Sequence, residues 1–267
     1  MSAEKNTPEL WDRAWEREVT PEQDAYNRAR EEAGVRWLRT ERLVNERFGG
    51  FSGLRVIEIG AGAGTVAACM AARGAHVTIL DYSPRALERS AEFFERAGIS
   101  GDLVNADALA LPADLLGRFD IAMSYGLAEH FTEPQRTTIV RAHLDVVRDG
   151  GLALVSVPNA ANAPYRIYKV LAELAGMWGS GEEYPFSRRE FEAMVPALDV
   201  AEHGFFGDSL AASWSWIDPV RIGRKLLKHP ESFDTSRIKP EREGPLDELY
   251  AYALVLWAVK GSAAEPA

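Results

Sequence analysis

The run Val56-Ile57-Glu58-Ile59-Gly60-Ala61-Gly62-Ala63-Gly64-Thr65 is a short apolar segment with one acid inside it, then three glycines at alternate positions, then an alanine-rich helical pattern. This order reads as a strand that feeds a tight glycine turn into a helix N-terminus. Backbone N–H groups at such a turn can cradle a nucleotide cofactor.

Strands and helices alternate outward from that turn. Leu54 to Ile59 reads as the first strand, Thr65 to Arg73 as the first helix with Gly74 as its cap, and His76 to Leu80 as the second strand. Ser83-Pro84 opens a helix that ends near Gly98. A short strand at Asp102 to Asn105 and a fourth at Phe119 to Ser124 follow. A helix from Glu133 to Arg148 then leads through the turn Asp149-Gly150-Gly151 into the apolar strand Leu152 to Val157. Such alternation implies a parallel sheet covered on both faces and wound right-handed. The expected fold is therefore α/β, a Rossmann-like doubly wound, mostly parallel seven-stranded sheet with N-terminal helices and a helical insert after the fifth strand. Residues 1–50 form the helical cap, in which Thr20-Pro21-Glu22-Gln23 starts a helix, and 51–160 form the cofactor-binding core. Residues 161–248 form the insert and lid, with helices at Ala163 to Gly176 and from Ser187 and a late strand at Leu198 to Phe206. Residues 249–267 supply the closing strand, Ala251 to Val259, and a tail. Positions 207–248 show scattered charge and few glycine turns, the pattern of a lid or binding loop.

The 267 residues are 46% hydrophobic and 26% charged, which suits one large globular core. A single cysteine, Cys69, excludes an internal disulfide and a Cys-rich zinc site. No run has signal-peptide or membrane-span character, so a cytoplasmic location without stable membrane insertion is expected. A formal net charge of −10 argues against a nucleic-acid partner, because phosphate binding draws on Lys and Arg.

Glu58 bears on the choice of cofactor. Dinucleotide loops follow G-x-G-x-x-G/A, and here the third slot holds Thr65. A carboxylate two residues before the first glycine repels a pyrophosphate and attracts a sulfonium or ammonium. The spacing Glu58-x-Gly60-x-Gly62-x-Gly64 resembles the first motif of the class I S-adenosylmethionine-dependent methyltransferases. Asp81 in ILDYS, Asp107 in NADALALP, FDIAMSYGLAEHF and LDVVRDGGLALVSVPN follow in that family's order, between Gly53 and Asn159. The resemblance, which extends to the quinone-pathway O-methyltransferases, implies S-adenosylmethionine as cofactor. It implies that Glu58, Gly60, Ala61, Gly62 and Gly64 form the cradle. Asp81 and Tyr82 would meet the ribose, Asp107 and Ala108 the adenine, and Tyr125 and Gly126 the methionine half.

Methyl transfer to a hydroxyl needs alignment and removal of a proton, and an imidazole of pKa about 6.5 suits the second task. His130 is expected as that base with Glu129 orienting or assisting it, and no metal is expected. The other reading of Glu129-His130 is the start of the next helix, with the acid near its positive end. The resemblance implies that Trp15, Tyr26, Phe131, Tyr165 and Tyr168 line the acceptor pocket. The same rings equally suit burial of the added helices against the core. Ser215 to His229 is basic and partly amphipathic, which fits a surface helix or transient membrane contact, and His229 falls where a lid would lie.

The function expected is methyl transfer to a small-molecule acceptor, with a hydroxyl oxygen as first choice. An NAD(P)-dependent oxidoreductase and a non-catalytic S-adenosylmethionine-binding protein are the alternatives.

Overall fold

The computed structural model describes residues 7–16, 18–226 and 232–262, so His229 lies outside the described residues. Three helices lead in: α1 (Pro8–Trp15), α2 (Pro21–Glu32) and α3 (Val35–Phe48). The core then runs β1 (Arg55–Ile59), α4 (Thr65–Ala71), β2 (His76–Asp81), α5 (Pro84–Ala97), β3 (Gly101–Asn105), β4 (Phe119–Tyr125), α6 (Gln135–Val146) and β5 (Val147–Pro158). After it come α7 (Ala163–Leu174), α8 (Arg188–Met194), β6 (Val200–Gly207), α9 (Leu210–Ser213), α10 (Pro219–Leu226), α11 (Asp247–Tyr250) and β7 (Ala253–Lys260).

The helix starts follow the capping chemistry in the sequence. Thr20 accepts from the Gln23 N–H at 3.2 Å, Ser83 from Ala86 at 3.1 Å, and Ser187 forms a reciprocal capping box with Glu190. Helix α5 ends on Gly98 in the left-handed conformation (φ 65°). Two boundaries differ from expectation. Helix α4 ends at Ala71 with Ala72 as its cap, and Gly74 instead closes the following turn. The expected turn at Asp149-Gly150-Gly151 lies inside β5, and α6 stops at Val146. Pairing decides the second case: Phe119 aligns with Val147, and Arg118 N–H donates to the Val146 carbonyl at 2.8 Å.

The sheet order is β3-β2-β1-β4-β5-β7-β6, parallel except that β7 runs antiparallel to both β5 and β6. Order reverses between β1 and β4, and ligands of such sheets lie beyond the strand C-termini at that crevice. Successive residues of the central strands face opposite layers. Ile57, Ile59, Ala122 and Val155 enter one cluster with Phe186 and Phe191, while Val56, Met123 and Leu154 enter the other with Trp37, Val44 and Met70. Burial on both faces accounts for the near-continuous apolar runs of these strands.

Helix α2 is tied to the core by an ion pair. Arg89 of α5 donates to the Asp24 carboxylate, both side chains being buried, and Arg96 reaches the other oxygen at 3.0 Å. Removing one partner of a buried pair strands the other charge. Asp24→Asn is accordingly expected to destabilise the fold by about 3 kcal/mol. Urea unfolding followed by circular dichroism checks this, and an unchanged midpoint would show that the pair adds nothing.

Candidate active site

All three glycines of the β1–α4 turn have left-handed backbones, with φ of 63°, 54° and 66° at Gly60, Gly62 and Gly64. None of the three has room for a side chain. A Cβ on Gly60 would lie 2.7 Å from Leu127, one on Gly62 2.2 Å from the Trp15 ring, and one on Gly64 2.9 Å from Ile79. The alternation thus curls the backbone tightly past the C-terminal ends of β1 and β2. Asp81, buried at the end of β2, holds the curl: its two oxygens accept the Gly62 N–H at 3.0 Å and the Ser83 N–H at 2.9 Å. Glu58 lies beneath the turn and accepts from the Ala67 N–H at 2.9 Å. Burial pushes its carboxyl up to about 8, against the pull of that hydrogen bond, and burial likewise raises Asp81.

A cavity of about 420 Å³ opens beside this turn and reaches Tyr125, Asp208, Trp216 and Tyr252. Its ionisable lining is rich in carboxyls, with Glu31, Glu58, Asp208 and Glu241 against Arg30 and Arg36. Burial raises Asp208 to about 7. Arg36 is bound bidentately by Glu31 (2.6 and 3.1 Å) and lies 4.6 Å from the centre of the Tyr125 ring. Burial alone would lower its pKa, but Glu31 raises it, so the guanidinium stays charged. Such a lining suits a ligand with a sulfonium, an ammonium and one carboxylate, and repels a pyrophosphate. The residues present therefore fit S-adenosylmethionine.

Helix α1 closes over the turn. Ser83 Oγ donates to Asp12 at 2.5 Å, the Trp15 ring touches Gly62, and Trp11 meets the His130 ring edge-on at 4.7 Å.

Glu129 and His130 sit in a single 3-10 turn (Ala128–His130) just past β4, so they do not begin helix α6. Glu129 is buried, one of its oxygens has no hydrogen-bond partner, and burial raises it to about 8. The His130 Nδ1 lies 2.8 Å from the Glu182 carbonyl. Burial lowers the His130 pKa more than the carbonyls of Glu182 and Gly126 raise it. One ligand atom each from Glu129, His130 and Glu183 lie within 4.8 Å of one another. Two carboxylates and an imidazole at that spacing could hold a divalent ion. Beyond them stand the rings of Tyr165, Tyr168, Trp178, Trp216 and Tyr252, with neighbouring centroids 5.0 to 6.3 Å apart.

The fold brings Glu58, Gly60, Ala61, Gly62, Gly64, Asp81 and Tyr125 together around one turn and cavity. It brings Tyr165 and Tyr168 into the aromatic wall near Glu129. Trp15 lies on the glycine turn and lines the cavity beside it. Phe131 packs against the core, whereas Tyr26 meets Phe233. Asp107 is exposed and accepts the Leu109 N–H in a local turn, with buried Ala108 between them. Gly126 has φ 88° and donates to the Ser156 carbonyl, and the Tyr82 hydroxyl is raised by burial. Arg36, Glu183 and Asp208 are the residues that motif reading missed.

Residues 56–151 match the family model for a methyltransferase domain. The chain is similar to the ubiquinone biosynthesis O-methyltransferase of Aromatoleum aromaticum, 37% identical over 114 residues, 43% of this chain and 48% of that protein. It is also similar to the namesake from Methylocella silvestris, 29% identical over 188 residues, 67% of this chain and 72% of that protein. The match to the first of these thus spans about half its length. Among solved structures, the magnesium protoporphyrin IX methyltransferase of Synechocystis, with bound S-adenosylhomocysteine, superposes with a TM-score of 0.54 at 13% identity, covering 95% of this chain and 94% of that one. The [4+2]-cyclase SpnF superposes at 0.56 and 19% identity, covering 84% and 81%. These structures share the fold, which by itself does not fix chemistry. What decides is the glycine turn with its two acids, which falls within the matched segment: residues 56–151 are a methyltransferase domain, and the residues around its turn fit S-adenosylmethionine.

Proposed function

We propose that this protein transfers a methyl group from S-adenosylmethionine to a hydroxyl oxygen of a small, apolar or aromatic acceptor. The observation that supports the reading is the Glu129-His130 turn just past β4, where buried Glu129 and His130 group with Glu183, the partner of the Tyr165 hydroxyl in the aromatic wall. When bound, the cofactor supplies an electrophilic sulfonium methyl. The chain has three tasks. Its aromatic wall holds the acceptor in line and excludes water, which in favourable cases lowers a barrier by roughly 7 to 11 kcal/mol. His130 takes the hydroxyl proton: its Nδ1 donates to the Glu182 carbonyl, which holds the ring in place, and its lowered pKa keeps the ring neutral at pH 7. Glu129, held near 8 and hence protonated at pH 7, donates a hydrogen bond that orients the acceptor oxygen. The reading takes the enzyme as cytoplasmic, supported by a free buried thiol at Cys69, and its partner as a small molecule, supported by the net charge of −10. The test is turnover of S-adenosylmethionine with a panel of phenols, catechols and aliphatic alcohols. Binding of S-adenosylhomocysteine without turnover of any of them would favour a non-catalytic binding protein.

The Glu129, His130 and Glu183 cluster favours a second reading, a divalent ion that would bind the acceptor oxygen directly. The base reading predicts that turnover survives dialysis against a chelator, and that Glu183→Gln lowers it less than tenfold. Loss of turnover on chelation, restored by magnesium or manganese, would replace the base by the metal.

A further inference from the structure

Helix α1 lies across the cofactor crevice but is lightly held. Thr7 caps it, Pro8 takes its first position, and Trp11 and Trp15, one turn apart, share a side. It is only eight residues long, and isolated helices of that length are marginal in water. None of its described side chains is fully buried. The next two helices are held differently, α2 by the buried Asp24–Arg89 pair and α3 by buried Trp37 and Val44. An element with few buried contacts opens at low cost.

The contacts that do hold α1 all fall on the site. Asp12 accepts from Ser83 Oγ past the end of β2, the Trp15 ring covers Gly62 in the glycine turn after β1, and Trp11 packs on His130 past the end of β4. Strands β2 and β4 flank β1, so the helix spans the strand ends where ligands of such a sheet lie. An acid ending the second strand meets ribose hydroxyls, and here that acid is Asp81. Its oxygens hold the Gly62 and Ser83 N–H groups, and Trp15 and Asp12 lie against those same two residues. Burial raises the Asp81 carboxyl, and Asp12 is near enough to add to that push. The open cavity lies on the other side of the turn. Glu58, Ala61, Thr65 and Tyr125 line it, with Trp15 in its wall, whereas Asp81 and Tyr82 do not. The methionine side of the site is therefore open, and α1 covers the ribose side.

We propose that α1 is a latch that competes with the ribose half of the cofactor, so that S-adenosylmethionine enters when the Asp12–Ser83 hydrogen bond opens and the helix swings away. The identity of the ligand rests on the methyl-transfer reading above. Trp11 rides on the same helix, so the movement also frees the Trp11 side of His130 and uncovers base and crevice together. Such a latch weakens apparent affinity by the fraction of molecules that are open.

Calorimetric titration of the full chain, Asp12→Ala and Asp12→Asn with S-adenosylhomocysteine tests it. Asp12→Ala removes the acceptor of the Ser83 hydroxyl and is expected to tighten binding roughly threefold to tenfold. Asp12→Asn removes the same charge but keeps an oxygen for that hydroxyl, so its affinity should stay nearer the wild type. Tryptophan emission of the wild type should change on saturation, as Trp11 and Trp15 leave His130 and Gly62, and most of the change should vanish in Trp11→Phe with Trp15→Phe. Weaker binding by Asp12→Ala overturns the proposal and makes α1 a cover that closes over bound cofactor. Equal tightening by Asp12→Ala and Asp12→Asn overturns it in favour of charge alone. Unchanged affinity, or an emission change that survives in the double variant, overturns the latch and leaves the methyl-transfer reading standing. If neither the wild type nor Asp12→Ala binds S-adenosylhomocysteine, both fall.

Discussion

His130→Ala is expected to lower kcat by roughly 10²- to 10⁴-fold, the usual range for losing a general base, while leaving S-adenosylhomocysteine affinity within about twofold. The separation of effects follows from position. His130 stands past the end of β4 against Trp11 and the Glu182 carbonyl, and it does not line the cavity beside the glycine turn. Glu129→Gln keeps the shape and a hydrogen-bond donor, so a smaller loss of about tenfold is expected if Glu129 acts as a neutral carboxyl. Its pH profile is the sharper readout. Glu129 is protonated below about 8, so the wild-type rate should fall as pH rises through that value, and Glu129→Gln should remove the fall. His130 sets the acid limb. Its pKa is lowered, so the limb lies below the ordinary histidine range. A rate that instead climbs through pH 8 and is abolished by Glu129→Gln would make the Glu129 carboxylate the base. Equal loss of turnover and of S-adenosylhomocysteine binding in His130→Ala would place the residue with the cofactor.

The half of the site that could be read from sequence is the half built from short-range geometry. Three glycines at alternate positions permit one tight turn, Asp81 ends the next strand, and Ser83 caps the next helix, all within one βαβ unit. The strand pattern itself follows from burial on both faces, which residues such as Ile57, Met123 and Val155 record as unbroken apolar runs. The rest of the site joins distant segments. Asp208 follows β6, Arg36 opens α3, and Glu241 caps α3 across 206 residues by accepting the Val35 N–H at 3.1 Å. No periodicity or motif links such residues, because what aligns them is the insertion of β7 between β5 and β6. Glu183 was hidden for a related reason. It comes from the loop after α7, where it accepts from the Tyr165 hydroxyl at 2.6 Å, a pairing set by packing of the rings. Trp15 is set by a long-range contact too: Asp12 anchors α1 to Ser83, which lays the Trp15 ring on the glycines at the cavity wall.

S-adenosylmethionine affinity is expected to rise by roughly tenfold or more between pH 6.5 and 8.5, and Glu58→Gln is expected to flatten that rise. Glu58 is buried and its carboxyl is held near 8, so in the ligand-free protein it is mostly neutral at pH 6.5 and mostly ionised at 8.5. A ligand that brings positive charge binds the ionised form better. Below the pKa it must also displace a proton, which costs close to tenfold for each pH unit. S-adenosylhomocysteine lacks the sulfonium and keeps only the ammonium, so its affinity should rise less, and the ratio of the two affinities should grow with pH. Asp208, near 7 and in the same cavity, contributes in the same direction, and Asp208→Asn isolates its share. Asp81→Asn tests the acid that the family resemblance assigns to the ribose. It keeps one oxygen for the turn and removes a negative charge, so both ligands should lose affinity, by roughly tenfold to a hundredfold and S-adenosylmethionine the more, while the rise with pH that Glu58 sets remains. Calorimetric titrations at the two pH values read every arm. A flat profile in the wild type would mean that Glu58 stays neutral beneath the bound cofactor, and a falling one would mean that the cavity favours the protonated form of some other group over the ionised form of this one.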